Sequence, residues 1–73
     1  ADEVVATLRA FGEPLGQAFQ LGDDLRDGDA PPGVGIDDVR ALVDRAVAAL
    51  DGPPRLPIDA DDALRGLADG VRP

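Results

Sequence analysis

Residues 4–27 read Val4-Val5-Ala6-Thr7-Leu8-Arg9-Ala10-Phe11-Gly12-Glu13-Pro14-Leu15-Gly16-Gln17-Ala18-Phe19-Gln20-Leu21-Gly22-Asp23-Asp24-Leu25-Arg26-Asp27, and their apolar spacing decides the fold. Val4, Val5, Leu8, Phe11, Leu15, Ala18, Phe19 and Leu25 form one stripe at three-four intervals, the period of a helix rather than the alternation of a strand. The pattern predicts a helix over residues 2–27. Pro14 lacks an amide hydrogen and crowds the carbonyl four residues back, so with Gly12 nearby a kink or a split is expected there. Gly12, Gly16 and Gly22 each cost up to about 1 kcal/mol relative to Ala inside a helix, a cost tolerated where another helix or a ligand comes close.

The end of this helix carries the chemistry. Asp23 and Asp27 stand one turn apart and Asp24 reaches Asp27 from the flank, so three carboxylates are expected to converge on a small volume. Two carboxylates about 4 Å apart repel by roughly 4 kcal/mol at an effective dielectric near 20, a cost that a cation would remove. Gly28 and the prolines Pro31 and Pro32 put the aspartates in the last helical turn, where the macrodipole favours Lys or Arg instead. Such a break of a local rule is a functional signal.

Working outward, residues 28–36 have turn chemistry and no periodicity. Asp37 is positioned to cap a second helix, 38–50, with the stripe Val39, Leu42, Val43, Ala46, Val47 and Leu50, and Gly52-Pro53-Pro54 ends it. Asp59 is the expected cap of a third helix, about 60–70, with Leu64, Leu67, Ala68 and Val71 facing inward. No strand alternation and no internal repeat occurs, so the fold class is all-α with about three helices.

The chain has 73 residues, no Cys and no His, which excludes disulfides, zinc sites and Cys- or His-based catalysis and leaves oxygen ligands as its metal chemistry. At this length only about 60% of the unfolded chain's surface is buried on folding, so stability is marginal. All seven basic residues are Arg, against fifteen Asp plus Glu, for a net charge of −8. That balance argues against nucleic acid or an anionic membrane as partner. It would also repel a bare diphosphate unless a divalent cation stood between. No apolar run reaches the roughly 18 residues of a membrane span, and no leader pattern opens the chain, so a cytoplasmic location is expected. The chain starts at Ala1 and runs directly into a helix, so its native start is expected upstream, in a longer protein.

Gly16, Phe19, Gln20, Asp23, Asp24 and Asp27 fall in the order G-x-x-F-Q-x-x-D-D-x-x-D. This resembles the second aspartate-rich motif of the trans-isoprenyl diphosphate synthases, the head-to-tail prenyltransferases that include farnesyl and geranylgeranyl diphosphate synthases. Six fixed positions in twelve make it more specific than a lone D-D-x-x-D. The resemblance implies a C-terminal portion of an isoprenoid-synthase helical bundle, residues 1–73, with the motif helix lining a central cavity. It further implies that Asp23, Asp24 and Asp27 hold Mg2+ bridging to the diphosphate of an allylic substrate, with Phe19 and Gln20 beside the substrate. The parent reaction would condense that allylic diphosphate with isopentenyl diphosphate, in a homodimer. The family's first aspartate-rich motif and its isopentenyl diphosphate-binding basic residues lie upstream and are absent here, so the chain alone is expected to be inactive. After the motif many members carry a Gly-Lys, whereas Gly28 is followed by Asp29 and a short path to the next helix.

Other readings compete. An EF-hand starting at Asp23 would put Leu25 at its third position and Val34 at its twelfth, where oxygen ligands are required, so that spacing fails. Asp37-Asp38 and Asp61-Asp62 sit at helix starts, where capping and the dipole explain them. From a different class, the chain could be a non-catalytic acidic helical module that docks through its apolar stripe; a magnesium titration separates the two.

Overall fold

The computed structural model describes residues 2–52 and 55–73. It contains three helices, α1 (Asp2–Asp27), α2 (Ile36–Asp51) and α3 (Ile58–Val71), and among the described residues no strand. The protein is all-α. α1 forms over the predicted span as one helix with Pro14 buried inside it, so of the kink or split expected there the split does not occur.

A Schellman arrangement stops α1. Gly28 adopts φ +77°, its N–H donates to the Leu25 carbonyl at 3.4 Å, and the Asp29 N–H donates to the Asp24 carbonyl at 2.7 Å. Two carbonyls left over at the helix end are thereby satisfied by the one residue type that takes a left-handed φ without strain. The chain then turns at Pro31–Val34, where the Val34 N–H donates to the Pro31 carbonyl at 3.2 Å and Gly33 supplies φ +83°.

α2 begins earlier than Asp37 predicts. Gly35 is its N-cap, and Asp38 reaches back so that its Oδ2 accepts from the Gly35 N–H at 2.8 Å, while the Asp38 N–H donates to the Gly35 carbonyl at 3.0 Å. Asp38, not Asp37, therefore ties down this helix start. α3 likewise begins at Ile58 after Pro57, ahead of the cap expected at Asp59. Pro53 and Pro54, expected to help end α2, lie outside the described residues; Gly52 follows the last helical residue, Asp51.

The core is small: Phe11, Leu15 and Ala18 of α1, Val39, Val43, Ala46 and Leu50 of α2, and Ala68 of α3, with Leu50 and Val43 its largest fully enclosed side chains. α1 packs chiefly on α2, and α3 closes over both more lightly. The radius of gyration is 13.1 Å, against about 11 Å for a compact chain of this length, because α1 sets a long axis of 39 Å. At 1.5 Å per residue α2 spans only about 24 Å, so α1 outreaches its partner. Val4, Val5 and Leu8, members of the apolar stripe of α1, are exposed in consequence; Leu67 of α3, which the spacing places facing inward, is exposed as well.

Candidate functional site

The motif lies on the second half of α1. Phe19 is 59% exposed, Gln20 is exposed, Asp23 and Asp24 are half-buried and Asp27 is exposed. Consecutive helical residues are about 100° apart around the axis, so Asp23 and Asp24 leave the helix in different directions, while Asp27 follows Asp23 by one turn. Among the described residues no three acidic side chains lie close enough together to hold a metal ion. The expected convergence of Asp23, Asp24 and Asp27 is thus not formed in the single chain. Sequence spacing brought their backbones together but did not fix where the side chains point.

Arg26 supplies a second cause. It forms an ion pair with Asp23, one turn back on the same helix. A guanidinium in the last turn of α1 also opposes the negative end of the helix dipole, so Arg26 carries out locally part of what a bound cation would do. The signal for this pair, opposite charges at three-residue spacing, was present in the sequence.

The donor set suits Mg2+ in kind, since carboxylate oxygens on one or two residues, completed by water and phosphate oxygen, are its usual ligands. The ligand chemistry of each carboxylate suits the ion, but the three aspartates are not brought together into one site in this chain.

Beside the motif the chain forms a groove of about 380 Å³ where the ends of the helices meet. Phe19, Leu25 and Arg26 of α1 face Ile36 and Val39 of α2 across it, with Val71 of α3 and Arg72 behind. Arg72 is held from outside the groove: its Nη1 donates to Asp44 Oδ1 at 2.8 Å and its Nε to Asp69 Oδ1 at 3.4 Å. These carboxylates, Asp44 first, raise the Arg72 pKa further above its ordinary value.

The second acidic pair, Asp61-Asp62, is not a helix cap. Asp61 is buried, and its carboxylate accepts from Arg65, which belongs to the packing of α3 rather than to a site. Against known proteins, the chain matches no family model, no curated protein and no solved structure.

Proposed function

We propose that the chain is the C-terminal part of a prenyltransferase of the trans-isoprenyl diphosphate synthase kind, and that its motif helix contributes magnesium- and diphosphate-facing carboxylates to the complete enzyme. The observation that carries the reading is that all six motif positions lie on one continuous helix with Phe19, Gln20 and Asp27 exposed at its end. Asp23, Asp24 and Asp27 would hold the ion. Bound there, Mg2+ would neutralise the diphosphate of the allylic substrate and favour its departure.

The chain's own residues have simpler roles. Asp23, Asp24 and Asp27 offer oxygen ligands on one wall. Phe19 and Gln20 offer an apolar and an amide contact to the substrate one turn before them. The other wall, and the site for isopentenyl diphosphate, belong to the remainder of the synthase domain, so this chain alone does not turn over substrate. The parent enzyme is a homodimer in this reading. A non-catalytic docking module remains the second reading, favoured by the exposed Val4, Val5 and Leu8 of α1.

Titration with Mg2+ and then pyrophosphate, followed by amide NMR shifts, tests the first reading against the second. Expected are magnesium shifts concentrated at residues 23–27 and pyrophosphate binding that requires the ion. Both should be lost in the triple variant Asp23→Asn, Asp24→Asn, Asp27→Asn. Shifts spread evenly over all acidic residues, or a triple variant that behaves as wild type, would overturn the reading.

A further inference from the structure

The groove beside the motif has a charge character opposite to that of the chain around it. None of the fifteen acidic residues lines it, whereas two of the seven arginines, Arg26 and Arg72, do. The remaining lining side chains are apolar, and Phe19 and Ile36 among them are 59% and 51% exposed. On a chain of net charge −8 this is a local inversion.

The two arginine heads are anchored but not saturated. Asp23 takes one donor of Arg26, and Asp44 and Asp69 take two donors of Arg72, out of the five N–H groups each guanidinium carries. The anchoring carboxylates are not among the residues that line the groove, so they orient the cations without filling it. The helix ends pull both ways: α2 begins here, which favours an anion, while α1 and α3 end here, which disfavours one. Arg26 and Arg72, in and just after those two C-terminal turns, offset the unfavourable ends.

We propose that this groove binds an amphipathic anion, an apolar body of roughly ten to fifteen heavy atoms bearing one carboxylate or phosphate head, with the body against Phe19, Ile36 and Val71 and the head at the Arg26–Arg72 rim. A cavity of about 380 Å³ is within the usual size of small-molecule sites, about 300–1,000 Å³. The site uses no metal and shares only Phe19 with the six motif positions. It stands or falls separately from the prenyltransferase reading.

The test is a titration of the chain in EDTA with decanoate, decyl phosphate, decyltrimethylammonium and acetate, each below micelle formation, read by amide NMR shifts. Expected is saturable binding of a decyl anion with a Kd of about 1 mM or tighter, with shifts at Phe19, Ile36 and Val71. Decyltrimethylammonium, with the same tail and the opposite head, should bind at least about tenfold more weakly, although the overall charge of the protein would attract it. Acetate, lacking the tail, should not saturate. If only one of decanoate and decyl phosphate binds, the proposal holds and the head is identified.

Arg26→Gln, at an exposed side chain, should weaken the anion at least about threefold while leaving the helicity of the chain unchanged. Ile58→Ser, on α3 outside the groove, should leave the affinity unchanged. A structural role for the two arginines, limited to opposing helix dipoles, produces no preference for an anion. Equal or tighter binding of the cation, no saturable binding of either anion, an unaffected Arg26→Gln, or shifts centred on Val4, Val5 and Leu8 would each overturn the proposal.

Discussion

Arg65 donates through Nε to Asp61 Oδ2 at 2.7 Å, one turn back on α3, and the geometry makes a nearly buried carboxylate the anchor of a guanidinium that also reaches another helix. Its Nη2 donates to Asp51 Oδ1 at 2.6 Å, on the last residue of α2. One side chain thus ties α3 to the end of α2, two helices that pack on each other only lightly. The hydrogen bond from Arg65 holds the Asp61 carboxyl below its ordinary range, against the opposing effect of burial, and the same bonds raise Arg65.

The sign of the pH dependence follows from that lowered pKa. A carboxylate whose folded pKa lies below its unfolded value of about 3.9 contributes stability above that value and loses it as pH falls through the folded pKa. Asp61→Asn should therefore melt below wild type at neutral pH, and the difference between the two melting temperatures should shrink as pH drops below about 4. Taking the difference removes the fourteen other acidic residues, whose protonation relieves the repulsion of a −8 chain. A constant difference across the acid range would show that Asp61 acts through shape rather than charge.

Leu50 is fully buried and, with Val43, one of the two largest enclosed side chains among the eight buried apolar residues described, so Leu50→Ala leaves a cavity in a small core. Such changes cost about 2–5 kcal/mol, and a chain of this length has only about 4–11 kcal/mol in total. Far-UV circular dichroism should show a fall in melting temperature large enough to leave part of the population unfolded at room temperature. Ile58→Ser, at a side chain 75% exposed, should stay within about 0.5 kcal/mol of wild type.

Much of this fold is legible in the residues. Gly28, the proline pair at 31 and 32, and Gly52 punctuate the chain so strongly that three helices follow from them and from the three-four stripes. What the stripes do not carry is length matching. Val4, Val5 and Leu8 belong to the apolar period of α1, but α2 is too short to cover all of α1, and a comparison of helix lengths would have shown it. Residue type does not choose the helix starts, because Asp37, Asp38 and Asp59 are equally good caps by type and only the backbone geometry at Gly35 and Pro57 decides. Asp61 stands beside Asp62 in sequence, but its partner is four residues on, at Arg65. At the motif the spacing gave proximity along the helix, while side-chain direction and the competition from Arg26 decided that the three carboxylates stay apart.

Gly12 and Gly16 interrupt the middle of α1, yet a methyl group at either position would meet nothing within 4 Å. Within this chain nothing offsets their helix cost. Gly12→Ala and Gly16→Ala should each stabilise the isolated chain by about 0.5–1 kcal/mol, measured by urea denaturation. Gly28→Ala, at φ +77°, should destabilise it by about 1 kcal/mol. If Gly16→Ala stabilises the chain but damages a complete synthase, the glycine is there for the approach of something outside this chain.

In the metal role proposed for the motif, Arg26 and a divalent cation would compete for the same carboxylate. In the chain alone Asp23 is engaged by Arg26, so an ion arriving at Asp23 and Asp27 must displace a guanidinium from an exposed pair, a displacement that costs about 0–1 kcal/mol. Removing the competitor also removes one positive charge from the approach path, and both effects have the same sign. Arg26→Gln should therefore bind Mn2+, used as a paramagnetic substitute for Mg2+, about two- to fivefold more tightly than wild type, read from the broadening of amide signals at residues 23–27. The same variant loses affinity for the decyl anions in the neighbouring groove, so a single substitution moves two ligands of opposite charge in opposite directions. A general loosening of the end of α1 would weaken both together. Unchanged or weaker Mn2+ binding in Arg26→Gln would mean that the ion does not use Asp23, and the metal role would pass to Asp24 and Asp27.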